Sequence, residues 1–367
     1  MSLHVPFFDL KRQNAALRSR LDAAVAQVVD DTAFILGEEV ARFEADFAAY
    51  VGTRYAVGVN SGLDALALSL RALGVGPGDE VIVPANTFIA TALAVDSCGA
   101  RAVFVDCDPR TLLMDLEAAR RALTPRTKAV LPVHLYGHPL DLSPVREVLR
   151  ERGVRVIEDA CQAHGARIGD RSCGAMGEAG CFSFYPSKNL GAFGDGGMIT
   201  TDDEKLRDRL RLLRSYGSVV KYRHETAGWN SRLDTVQAAV LRVKLPYLDG
   251  WNDRRRQLAA RYRSALEGAR GIELPVELPG ARHVYHLYIV RCDRRDELKA
   301  HLESRGIGTG IHYPVPIHRQ PAYAAAAGQS FPVAEAESAR LLSLPMFPEM
   351  KDEEVDAVCD AVRAFAR

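Results

Sequence analysis

Apolar runs at 80–83, 102–106, 129–133, 154–159 and 181–184 read as short strands, and helical stretches such as 143–152 alternate with them. That alternation predicts an α/β fold with a mostly parallel central sheet flanked by helices. Residues 198–201 add a further strand. Leu63, Leu66, Ala67, Leu70 and Leu73 recur at helical spacing, with Asn60 and Ser61 as caps before them and Gly74 as the stop after them. A long basic helical stretch over 233–263 carries Trp251, Arg254, Arg255 and Arg256 and leads into a smaller domain. There 286–291 reads as a strand and 293–305 as a helix ended by Gly306. The expected organisation is a large domain over 1–250, N-terminal segment included, and a small C-terminal α+β domain over 251–367.

With 367 residues, 47% of them hydrophobic and 26% charged, the chain can bury a large core. Lys and Arg together number 47, as do Asp and Glu, so no global field favours nucleic acid or a membrane surface. The first residues lack a signal peptide's apolar core, and no run is long and apolar enough to span a bilayer, so the cytoplasm is the expected location. The seven cysteines form no Cys-x-x-Cys pair and are odd in number, which fits small buried thiols in a reducing compartment.

The sharpest chemical signal is Lys188, set between an aromatic-rich strand and a glycine-rich loop. Phe182, Phe184, Tyr185 and Phe193 offer an apolar enclosure that disfavours an ammonium, while Gly191, Gly194, Gly196 and Gly197 let backbone approach a ligand closely. Asp159 ends the strand at 154–159, where the carboxyl edge of an α/β sheet opens on a ligand crevice. Alone it reads equally well as a helix N-cap. A lysine, a carboxylate and a phosphate cradle are the three things that pyridoxal phosphate needs, and the free N–H groups of Gly62 and Leu63 at a helix start supply the cradle. Phe88, at a strand-to-helix junction, could stack on a flat ring or simply fill the core. His134 and His138 stand four apart, but Gly137 and Pro139 interrupt any helix there, so no metal pair is expected. The glycine run after Lys188 lacks the spacing of a dinucleotide fingerprint.

These segments, in this order, resemble fold type I pyridoxal phosphate enzymes and, among them, the DegT/StrS group of nucleotide-sugar aminotransferases. The likeness is carried by Val5-Pro-Phe-Phe-Asp-Leu10, Asn60-Ser-Gly-Leu-Asp-Ala-Leu66, Pro132-Val-His-Leu-Tyr-Gly137, Glu158-Asp-Ala-Cys-Gln-Ala-His164, Ser183-Phe-Tyr-Pro-Ser-Lys-Asn-Leu-Gly191 and Gly194-Asp-Gly-Gly197. The resemblance implies that Lys188 carries the cofactor and moves the proton, and that Asp159 partners the pyridine nitrogen. It places Gln162 beside the phenolic oxygen, Phe88 over the ring, and Ser183, Gly62 and Leu63 on the phosphate. Asn230 matches an asparagine that completes the phosphate site of a second subunit, which implies a homodimer with shared active sites.

Two further segments, 215–225 and 311–323, resemble those of enzymes that aminate 3-keto-6-deoxyhexoses attached to dTDP, with glutamate as the usual amino donor. Lys221 and Arg319 suit a diphosphate, Tyr222 and Tyr313 a base or sugar face, and His312 a sugar hydroxyl; Tyr185, near the lysine, is another candidate contact. A carbon-four aminotransferase shares the cofactor residues, and a cofactor-binding regulatory protein without turnover is the alternative of another class.

Overall fold

A seven-stranded sheet forms the centre of the computed structural model, which describes residues 4–326 and 328–366. Its first strands are β1 (Tyr55–Val59), β2 (Glu80–Pro84), β3 (Arg101–Val105), β4 (Thr127–Val130) and β5 (Arg155–Asp159). A small ribbon of β6 (Arg167–Ile168) and β7 (Arg171–Ser172) intervenes before β8 (Ala179–Ser183) and β9 (Gly197–Thr201) complete the sheet. The spatial order is β1-β9-β8-β5-β4-β2-β3, with β9 antiparallel to both neighbours and the other pairs parallel. Six strands therefore end at one edge, and β9 begins there. The expected runs are all strands, shifted by a few residues at their ends.

The remaining strands are the hairpin β10 (Ser218–Val220) and β11 (Arg223–His224), then β12 (Ala281–Arg282) on the ribbon, and the pair β13 (Tyr288–Arg291) and β14 (Leu341–Leu344). Helices α1 (Leu10–Asp31), α2 (Glu38–Val51), α3 (Gly62–Ala72), α4 (Ala90–Ser97), α5 (Leu116–Arg121) and α6 (Ser143–Glu151) occupy the first half. They are followed by α7 (Glu204–Arg214), α8 (Thr235–Lys244), α9 (Leu248–Leu266), α10 (Arg295–Glu303), α11 (Pro332–Ser338) and α12 (Asp352–Ala366). Asp9, Ser61, Asp115 and Asp203 cap their helices by accepting amide hydrogen bonds from the first turn. None of the described helices is long and apolar enough to cross a membrane.

The stretch expected as one helix over 233–263 is two helices, α8 and α9, joined by a 3-10 turn at Leu245–Tyr247. Pro246 is the reason, since it has no amide hydrogen to continue the ladder. Leu248, at the start of α9, packs with Phe43, Phe47, Phe182 and Phe184, whereas Leu258, Tyr262 and Leu266 pack with Leu298, Val355 and Val358 in a second core. We propose a domain division near Trp251, because α9 passes from one core to the other between Leu248 and Leu258. Leu287, Ile289, Ile317 and Leu341 nevertheless pack into the main core beside the sheet, so the C-terminal third seals the edge where the strands end.

Beside Asp159, the fully buried Glu158 carboxylate accepts from the amides of Gly174, Met176 and Gly177 at 2.6–2.8 Å and from His134 Nε2 at 2.9 Å. Leu140 donates to His134 Nδ1, so the imidazole proton resides on Nε2. Glu158 thereby ties β5 to the loop that leads into β8. Glu158→Ala strands four donors, three amides and the His134 ring, and is expected to destabilise the fold by roughly 3–5 kcal/mol, read from urea unfolding followed by circular dichroism. A loss under about 1 kcal/mol would show that the loop finds other acceptors.

Candidate active site

The groups singled out by chemistry meet at the edge where the parallel strands end. β5 pairs with β8 in the register Asp159↔Cys181, and β8 pairs with β9 in the register Ser183↔Gly197. The chain leaving β8 turns back through Lys188, whose backbone N–H donates to the Tyr185 carbonyl at 2.8 Å. Lys188 is half-buried, and burial lowers its amine below the ordinary lysine value. Cys161 and Asp159 act in the opposite direction by Coulomb attraction. Burial also raises the Cys161 thiol well above its ordinary value, so at neutral pH Cys161 faces this lysine uncharged.

Asp159 is buried and held on both oxygens: Cys161 N–H donates to Oδ1 at 3.2 Å and Thr91 Oγ1 to Oδ2 at 2.8 Å. Gln162 accepts from Tyr136 N at 2.6 Å and donates to the Tyr313 hydroxyl at 3.1 Å. Tyr136 adopts φ 61 and donates from its hydroxyl to the His312 carbonyl at 2.6 Å. The Phe88 ring is 52% exposed and lies 5.4 Å from the Tyr313 ring, so it rims the crevice rather than filling the core.

The start of α3, expected as a phosphate cradle, rests on close backbone approach. Ser61 caps α3, and Gly62 and Leu63 stand at its first turn, where amide hydrogens lack intrahelical acceptors. A Cβ on Gly62 would lie 2.7 Å from Ser183 Cβ, and one on Gly197 would lie 2.2 Å from the Ser61 carbonyl oxygen. Only hydrogen at both positions lets α3 begin against β8 and β9. Ser183 is half-buried beside this start, and its Oγ accepts from Tyr185 N at 3.3 Å. Ser231 joins the same corner, accepting from Asn60 N and donating to Asp64 Oδ2. Asn230, its neighbour, is exposed and bridges to Ser215.

The expected substrate contacts divide into two groups. His312 and Tyr313 stand in the site: His312 Nδ1 contacts Ser343 Oγ at 2.7 Å, its ring stacks on Phe7, and burial together with the charge of Lys188 pushes it down to about 4. Tyr185 is 55% exposed at the site's mouth. Lys221 and Tyr222 instead occupy the projecting β10–β11 hairpin, Tyr222 being 84% exposed with the Lys221 amine 5.1 Å from its ring centre. None of their described contacts reaches Lys188 or Asp159. Arg319 forms an ion pair with Glu335 at 3.0 Å, and His318 shares that carboxylate.

Some residues that hold the site were not anticipated. Thr91 is one, though its position four after Thr87 at a helix start was a usable cue. Lys244 is another: it is 1% exposed, donates to the Gly191 carbonyl at 2.8 Å, lies over the Phe193 ring, and is pushed down to about 8 by burial. In sequence it looks like any basic residue on an amphipathic helix. His134 and His138 serve structure, His138 accepting from Leu278 N and stacking on His283.

Residues 16–363 match the DegT/DnrJ/EryC1/StrS aminotransferase family. The chain is 54% identical to a dTDP-3-amino-3,4,6-trideoxy-alpha-D-glucose transaminase of Streptomyces venezuelae, covering 99% of this chain and 96% of that one. The crystal structure of S. venezuelae DesV in complex with a ketimine intermediate superposes with a TM-score of 0.97 at 53% identity, covering 99% of each chain. NtdA from Bacillus subtilis, with bound cofactor PMP, superposes with a TM-score of 0.92 at 33% identity, covering 100% of this chain and 86% of that one.

Burial holds several imidazoles near the site neutral. His164 is pushed down to about 3, His138 and His312 to about 4, and His283 and His286 well below the ordinary value, with desolvation the leading cause in each. Between pH 6.5 and about 4 the unfolded chain binds protons on these rings that the folded chain does not, so stability falls as pH falls through that window. Each ring kept neutral at pH 5 removes roughly 2 kcal/mol relative to pH 7. The urea midpoint is expected to drop clearly from pH 7 to pH 5, and equal midpoints would mean that the rings take up protons in the folded state.

Proposed function

This chain belongs to the DegT/DnrJ/EryC1/StrS aminotransferase family, and we propose that it uses pyridoxal 5'-phosphate to move the amino group of L-glutamate to the 3-keto carbon of a dTDP-linked 3-keto-6-deoxyhexose. The observation that carries this reading is the half-buried Lys188 amine, lowered by desolvation, beside the buried carboxylate Asp159 at the carboxyl edge of the sheet. The amino group at carbon three in the name of the Streptomyces relative supports the choice of carbon.

The residues fit the cofactor. Gly62 and Gly197 let the N-terminus of α3 approach β8 and β9 closely, which brings its free amides beside Ser183, and Phe88 stands exposed beside Tyr313. When bound, pyridoxal phosphate supplies an aldehyde that accepts the donor's amino group and a ring that spreads the negative charge left on a deprotonated carbon. Lys188 would hold the aldehyde covalently through Nζ. Once displaced, Nζ would carry the proton between the substrate carbon and the cofactor's aldehyde carbon in each half of the exchange, a task that its lowered basicity suits. Asp159, with both oxygens already oriented, would partner the ring nitrogen and favour its protonated form. Gly62, Leu63 and Ser183 would bind the phosphate, Phe88 would cover the ring, and Gln162 would offer its second amide N–H to the phenolic oxygen. His312, Tyr313 and Tyr185 line the sugar's approach.

Asn230 and the hairpin bearing Lys221 and Tyr222 are exposed in the single chain. In a homodimer they would complete the neighbouring site, Asn230 on the phosphate and the hairpin on the nucleotide sugar. Arg319 would reach the diphosphate only by leaving or sharing Glu335.

Incubation with glutamate and a panel of nucleotide-linked 3-keto and 4-keto deoxysugars is expected to give a 3-amino product, identified by mass and NMR. Amination at carbon four, or none, would overturn the assignment. Lys188→Ala is expected to abolish turnover, to keep the circular dichroism spectrum, and to remove the peptide adduct that borohydride traps. Mixing inactive Lys188→Ala and Asn230→Ala chains should restore part of the activity, because some heterodimers then carry one complete site; no recovery would rule out shared sites.

A further inference from the structure

We propose that Thr91, backed by Thr87, is a positioning residue that fixes the Asp159 carboxylate against the ring nitrogen; this rests on the cofactor reading above. Both threonines are buried, at 0% and 4% exposure, so their hydroxyls need partners within the protein. They stand four residues apart where β2 gives way to α4, and Thr91 N–H donates to the Phe88 carbonyl. Thr91 Oγ1 lies 2.8 Å from Asp159 Oδ2 and 3.1 Å from Thr87 Oγ1.

The direction of this chain follows from counting protons. A hydroxyl has one hydrogen, and an ionised carboxylate only accepts. Thr91 must therefore give its hydrogen to Asp159, which leaves its oxygen to accept from Thr87. Both dipoles point toward the carboxylate, and aligned hydrogen bonds of this kind reinforce one another. The terminal torsion of an aspartate is otherwise broad. With Cys161 N–H on one oxygen and Thr91 on the other, the carboxylate plane is set and lone pairs remain for a ring N–H. The same short segment carries Phe88, so one strand-to-helix junction would place the ring's cover and aim the ring's counter-ion.

Thr91→Val keeps the shape and removes the donor, whereas Thr91→Ser keeps the donor and removes the methyl. The protein loaded with pyridoxal phosphate is titrated by visible absorbance, and kcat and the KM for glutamate are measured with the keto-sugar substrate. A loosely held carboxylate leaves less positive charge on the ring, so the protonated form of the chromophore persists to higher pH. For Thr91→Val the absorbance midpoint is expected to rise by about half a pH unit or more and kcat to fall about tenfold, with KM within about twofold. Thr91→Ser should stay close to the parent in both. An unmoved midpoint in Thr91→Val, or equal losses in the Val and Ser variants, would overturn the proposal in favour of plain packing. A parent protein that develops no visible band would overturn the cofactor reading and this proposal with it.

Discussion

The parallel pairing of β5 with β8 is the constraint on which the site depends. It brings the last residue of one strand beside the chain that carries Lys188, so an acid and an amine face one crevice without either strand bending. The pairing is held from behind by Glu158, which collects three amides of the loop before β8 and the His134 ring, so the buried acid next to Asp159 is itself fully engaged. Asp159 is thus the one carboxylate on this strand that faces outward to the crevice. The β9 strand, running against its neighbours, starts at the same edge and lends Gly197 to the floor beneath α3.

Much of this was legible in the chain because it depends on local pattern. Buried parallel strands are apolar on both faces, so the runs at 80–83 and 154–159 stand out without any partner being known. Lys188 among aromatic and glycine residues, and Asp159 at a strand's end, could be singled out from their neighbours in sequence, although Tyr185 and Phe193 are exposed and Phe182 and Phe184 pack against Phe43 and Phe47 instead of enclosing the amine. The helix break at Pro246 was visible as a residue, but apolar spacing continues on both sides of it and suggested a single helix.

What was not legible depends on distant groups. Thr91 reaches Asp159 across 68 positions, and Lys244 reaches Gly191 across 53, and neither has a motif around it. Arg319 looked available for a diphosphate until Glu335, sixteen residues later, was found on the same face. The hairpin with Lys221 and Tyr222 shows the opposite failing: its side chains suit a substrate by chemistry, yet none of their described contacts reaches Lys188 or Asp159.

The electrostatics of the crevice follow from burial more than from pairing. His164, His286 and His312 all sense the charge of Lys188, and four cations in so small a volume would repel one another severely. Desolvation resolves the conflict by making the imidazoles the groups that give up their protons, leaving Asp159 opposite a single ionisable amine. His164 shows the cost most plainly: it is fully buried, and its ring is wedged against Phe182 and Phe184. A neutral ring in that position adds no charge near Lys188, whose amine then feels the attraction of Asp159 against the desolvation that lowers it.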